Sequence, residues 1–157
     1  MIWYCARLPV VAHNRYWATD TVYSNSNGGE YNFIIEEDTK RALPLDGDFW
    51  QHLFGTSTGW GLEVYEQDWQ DRQSVDMNVT HTNFTAAKDW LLQMGSAALN
   101  NNVTLQYCMS LPRHVLQSSA IASVGRLRTS GDYILSKDNW RIGITSLLSE
   151  SLGKQKI

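Results

Sequence analysis

The stretch from Gly61 to Ser110 limits the fold more tightly than any other part of the chain. "GLEVYEQDW", Gly61 to Trp69, alternates in the manner of a strand and ends in acids rather than in a hairpin turn. In "NFTAAKDWLLQMGSAALNNN", Ala87, Trp90, Leu91, Met94, Ala97 and Ala98 recur at three- and four-residue spacing and make one apolar helical face. Thr85 is the expected N-cap, and Asn100 to Asn102 supply left-handed residues at the exit. "VTLQYCMS", Val103 to Ser110, is again a strand, with alternating and β-branched character. Strands separated by a helical crossover pair in parallel through right-handed connections, so this unit predicts an α/β architecture.

The rest of the sequence extends that pattern. "LPVVAH", Leu8 to His13, is a short apolar run expected to form a strand. A turn cluster around Gly28-Gly29 leads to an alternating strand over Tyr31 to Glu36, so that positions 20–40 look like a hairpin-like insertion. Asp46 or Asp48 can cap a helix that exits through "GTSTGWG". "LPRHVLQSSAIAS" opens with a proline suited to a first helical turn. Arg126 to Thr129 then reads as a short strand and Asn139 to Leu152 as a last amphipathic helix. The expected order is β-(hairpin)-α-β-α-β-α-β-α. A closed eight-stranded barrel takes about 250 residues. The 157 residues here therefore make at most part of one, and we treat positions 1–157 as a single domain.

Composition narrows the function classes. The net charge is -3, with both signs spread along the chain, and no basic stripe invites nucleic acid. No apolar run approaches membrane-spanning length, so no membrane partner is expected. Arg7 interrupts any apolar leader in "MIWYCARLPVVAH", which argues against a cleaved signal peptide there. Asn78, Asn83 and Asn102 each open a glycosylation sequon, which nudges toward a secretory or lysosomal route without fixing the compartment. Cys5 and Cys108 form neither a disulfide framework nor a zinc spacing. His13, His52, His81 and His114 show no ligand spacing, so neither metal nor other cofactor is expected. Seven Trp and seven Tyr are the unusual component, many beside polar groups as in "NRYWATD", "GDFWQH", "YEQDWQD" and "DNWRIG". Such rings either stack on sugars or edge the core.

In parallel α/β units, functional groups collect at the carboxyl ends of strands. Asp68 ends "LEVYEQD", and Asp132 follows "RLRTSG". Two carboxylates across a cleft are the minimal apparatus of a glycosidase, and also common turn and cap formers. "LRTSGDY…DNW" resembles the proton-donor segment of the retaining α-galactosidases, and the raffinose synthase-like group has a similar segment. "LQYCMSLP" resembles their fifth strand and "GLEVYEQDW" their fourth, the three segments falling in the family's order between Gly61 and Leu152.

The resemblance implies a partial (β/α)8 TIM barrel, about strands 3–6 with their helices. It implies Asp68 as nucleophile, Asp132 as general acid/base and Arg128 as a sugar-hydroxyl ligand, with Glu66, Trp69 and Cys108 beside the substrate. Gly131 would let the chain turn so that Asp132 points into the cleft. Glu66 departs from the family, which carries a lysine at that position. Strand periodicity puts Glu66 on the face of Asp68, roughly 6–7 Å away, where a second anion raises a carboxylate's pKa unless a cation such as Arg15 answers it. The missing strands are the other departure. A half-barrel would expose raw edges and an unpaired hydrophobic face, calling for oligomerisation or a complementary barrel segment. Three functions are open: a glycosidase acting on an α-galactoside or related glycan, a non-catalytic carbohydrate-binding relative, and an interaction module.

Overall fold

The computed structural model describes residues 8–128 and, in backbone, 155–156. β1 (Val10–Asn14) pairs in parallel with β4 (Leu62–Gln67), β4 with β5 (Thr104–Tyr107), and β5 with β6 (Val124–Leu127). β7 (Gln155–Lys156) adds in parallel to β6, giving the sheet order β1-β4-β5-β6-β7. The expected α/β class and parallel pairing are therefore present. The strand ends lie within two residues of expectation except that β5 stops at Tyr107, three residues short of Ser110. The expected helix Asn139 to Leu152 lies outside the described residues, as does Thr129.

The insertion is longer than its sequence pattern suggested. β2 (Phe33–Glu36) pairs antiparallel with β3 (Arg41–Pro44) as a separate two-stranded sheet. β3 escaped notice because "RALP" is short and ends in proline, which is tolerated here at a strand end. Asp46 then caps α1 (Gly47–Thr58): its Oδ1 accepts from the Asp48 and Phe49 N–H groups at 2.9 and 3.4 Å. Its Oδ2 accepts from the Asn32 N–H at 2.9 Å, fastening the hairpin to the helix.

The crossover from β4 contains two short helices beside the expected one: α2 (Gln70–Asp76) and α3 (Val79–Thr82) precede α4 (Ala86–Asn100). Thr85 holds the cap position of α4 with helical backbone angles, so its side chain caps nothing. Asn83 does that work, its Oδ1 accepting from the N–H groups of Thr85 and Ala86 at 3.0 and 3.2 Å. At the exit, Asn102 is left-handed (φ 55) as expected. The predicted face of α4 is buried throughout: Ala87, Trp90, Leu91, Met94, Ala97 and Ala98 all lie in the core. Gly95 is required where α4 meets Ile121, since a Cβ there would run into the isoleucine side chain. α5 (Pro112–Ser118) starts on its proline and sends Val115 into the same core.

α1 and α4 pack together and cover one face of the sheet, where Tyr65 meets Trp50 and Phe54 edge-on at 6.0 and 5.2 Å. Much of the aromatic surplus is spent in this layer. Phe49 sits at the centre of rings from Trp17, Tyr23, Tyr31, Phe33 and Trp50, with centroids 4.9–5.6 Å from its own. Strand alternation sends the intervening residues to the opposite face, where the register aligns His13, Glu66, Gln106 and Arg126 across β1, β4, β5 and β6. An unpaired hydrophobic face was expected; this one carries the polar row beside a row containing Val11, which is 61% exposed, and Val64.

Candidate functional site

Asp68 follows the last residue of β4, one strand-length step beyond the polar row, and its backbone N–H still donates to the Asn14 carbonyl of β1 at 2.8 Å. The residue is 8% exposed and its carboxylate is tied from both sides. Nε2 of His13 lies 3.0 Å from Oδ2, and the Trp69 N–H donates to Oδ1 at 2.7 Å. An ionised carboxylate only accepts, so the His13 Nε2 carries the proton of that bond. The Cys108 thiol, at the tip of β5, donates to the same carboxylate, and Nη1 of Arg128, past β6, reaches the Cys108 sulfur at 3.8 Å. Adjacent strand tips thus contribute His13, Asp68, Cys108 and Arg128 to one connected line.

The electrostatics follow from that line. Burial alone would push the Asp68 carboxyl up, but the Cys108 and His13 hydrogen bonds, the Trp69 N–H and the His13 charge outweigh it and hold it below the usual carboxylate range. Glu66 was expected to strain Asp68 unless Arg15 answered it. Neither half of that holds: Glu66 has no ion pair among the described residues, and the Arg15 guanidinium lies over the Trp69 ring at 4.9 Å. The thiol moves the other way. Burial and the facing carboxylate push Cys108 up to about 12, so it stays a proton-bearing donor.

Trp69 is the residue the backbone strains to place. Its φ of 54 and ψ of 35 are left-handed, uncommon for a bulky side chain, and they turn the chain from β4 into α2. Met109, in the corresponding turn after β5, is left-handed as well (φ 51). The indole stacks on Tyr16 at 5.6 Å with a 27° interplanar angle. Arg72 approaches the Trp69 ring at 5.8 Å, and Arg41, paired with Asp76 at 3.0 Å, approaches Tyr16 at 5.3 Å. Nε2 of Gln67 holds this segment down, donating to the Arg15 and Asp68 carbonyls at 3.0 and 3.1 Å. His13, Asn14, Arg15, Tyr16 and Trp69 line a depression of about 490 Å³ that is wide open to solvent.

The structure thus brings together Asp68, Trp69, Cys108 and Arg128, with Glu66 one step back along β4. Asp132, Gly131 and the tryptophan of "DNWRIG" lie outside the described residues. Sequence reasoning missed His13, which it read as an ordinary histidine, and Tyr16. The missing signal was the β1-to-β4 register: with those strands adjacent, alternation alone puts His13 on the face of Glu66 and Asp68. His114, which unlike His13 is buried, is no part of a nucleophile pair. Nδ1 of His114 accepts from the Leu111 N–H at 3.0 Å, so its Nε2–H donates to the Ser74 hydroxyl at 2.7 Å rather than drawing a proton from it.

Among the described residues no group of three or more His, Cys, Asp or Glu side chains is placed to share a metal ion, and no helix is long and apolar enough to cross a membrane. Comparison with protein-family models, with curated proteins and with solved structures returns no match to this chain.

Proposed function

We propose that the chain is a glycoside hydrolase-like unit, equivalent to about strands 3–6 of a (β/α)8 barrel, that works on an α-galactoside or related glycan. The observation that carries this reading is Asp68: a carboxylate held ionised at a parallel-strand tip, beside the stacked Tyr16–Trp69 pair and in line with Cys108 and Arg128. The strand order supports the barrel part. Each strand from β4 onward adds on the same side of its predecessor, and α1 and α4 share one face. A singly wound barrel is built that way, whereas a doubly wound sheet reverses direction.

In this reading an Asp68 oxygen attacks the anomeric carbon as Asp132 protonates the departing glycosidic oxygen. Water, deprotonated by Asp132, then releases the sugar from the ester. His13 and the Trp69 N–H each take a lone pair on a different Asp68 oxygen and the Cys108 thiol takes a third, which leaves the carboxylate one for attack. A mechanism-based α-galactosyl inhibitor that leaves a stable ester tests this by peptide mass. A single adduct on Asp68, absent in Asp68→Asn, is expected. An adduct on Glu66 moves the nucleophile, and a folded chain without adduct removes the catalytic reading.

One observation favours a second reading, sugar binding without turnover: the Asp68 side chain is only 12% exposed, while the open depression is lined by its neighbours. That reading requires affinity for a galactoside with no label and no released sugar.

A further inference from the structure

Taken as a carbohydrate site, the depression beside Trp69 carries more positive charge than a neutral sugar needs. Arg15 lines it, and Arg72 approaches the same indole from α2. Both side chains are exposed, and neither has an ion-pair partner among the described residues. Arg41, by contrast, is committed to Asp76. Asp68, the carboxylate beside this surface, has its oxygens on His13 and the Trp69 N–H. What remains on the indole is a pair of guanidiniums, with the Glu66 carboxylate, unpaired among the described residues, set back along β4.

We propose that this depression takes an anionic sugar, whose carboxylate or phosphate is met by Arg15 and Arg72 while its ring stacks on the Tyr16–Trp69 pair. The proposal rests on the carbohydrate reading of the site and specifies its substrate class. The exchange it requires is favourable in kind. An exposed cation–π contact is weak, and a charge-assisted, two-pronged bond from a guanidinium to a carboxylate or phosphate is stronger. An anion therefore draws Arg15 off the indole and leaves that face to the apolar side of the sugar. The strained turn at Trp69 fits this use, since it holds the ring at the mouth of the depression.

The test is calorimetric titration of the purified chain with the methyl α-glycoside of galactose, the methyl α-glycoside of galacturonic acid, and galactose 6-phosphate. The acidic sugars are expected to bind at least about tenfold more tightly than the neutral one, the gain of one good charge-assisted bond. The better of the two acids identifies the anionic group. In the Arg15→Gln/Arg72→Gln double variant that preference falls below twofold; in Arg113→Gln, which removes an exposed charge on α5, it persists. A neutral galactoside binding as tightly as the acids overturns the proposal and leaves the carbohydrate site standing. A preference that survives the double variant overturns it too. No binding of any of these sugars to the folded chain overturns both.

Discussion

His114 makes the stability of this chain depend on acidity in a calculable way. Its ring is fully buried, and burial, helped by the neighbouring Arg113, pushes its pKa from 6.5 down to about 3. The folded chain therefore refuses a proton that the unfolded chain binds. Such a group contributes fully above about pH 6.5, and its contribution falls as acid is added until the folded pKa is reached. At about pH 5 the unfolded ring is almost wholly protonated and the folded ring almost wholly neutral, a loss of about 2 kcal/mol relative to neutral pH. The comparison is His114→Asn, whose Oδ1 can take the Leu111 N–H while nothing in the side chain titrates. Urea unfolding followed by tryptophan fluorescence at about pH 5 and about pH 7.5 yields the free energies of both chains. Other histidines cancel in the difference between them. The variant is expected to be less stable than the parent at the higher pH, with the gap narrowing by about 2 kcal/mol at the lower. A gap that does not change with pH would mean that the ring is protonated or solvated in the folded chain, and the buried, neutral assignment would fall.

Other expectations can be checked separately. Asp68 should titrate below 3.8 by carboxyl carbon NMR, and His13→Ala should raise its pKa, because the bond and charge that hold it down are removed. Its stabilising effect is therefore present at neutral pH and lost as pH falls through that depressed value. Cys108, pushed up to about 12, should react with iodoacetamide in the folded chain far more slowly than in urea, on the order of a thousandfold at pH 8; peptide mass spectrometry after timed quenching distinguishes it from Cys5. Gly95→Ala should cost about 1–3 kcal/mol through its clash with Ile121. Adding Ile121→Ala should recover part of that cost, a sign of coupling read by thermal denaturation of all four members of the cycle.

The parallel sheet was legible because each element advertises its own period: "GLEVYEQDW" at two, the Ala87–Ala98 face at three to four. Asp68 was legible for the same reason, since the end of an alternating run locates a strand tip. What stayed hidden is non-local. "RALP" pairs only because a turn with left-handed Lys40 (φ 56) folds it back on β2. "QDRQSVD" is helical although it lacks an apolar stripe, anchored where the Ser110 hydroxyl donates to Gln70 at 2.8 Å. His13 gained its meaning from a neighbour 55 residues away. Adjacent aromatics also parted company: in "NRYW" Tyr16 faces the depression and Trp17 joins the rings around Phe49. Strand alternation divides such pairs once the faces are known, but local composition does not say which face holds the core.

The place of β1 at the end of the sheet has a consequence for assembly. It is the first described strand, yet its only partner among the described residues is β4, whose Leu62 is the register mate of Val10. Everything from Arg15 to Gly61, the antiparallel hairpin and α1 included, intervenes. β4, β5 and β6, by contrast, are neighbours in the order in which they are made. Both connections, 15–61 and 68–103, are long, and closure entropy distinguishes them little, so the carboxylate of Asp68 is fully answered only once β1 and β5 both lie beside β4. Until then it is a half-answered charge, and the last strand to dock is the one that completes its neutralisation. The state of Asp68 thus reports whether the three strands are in register together.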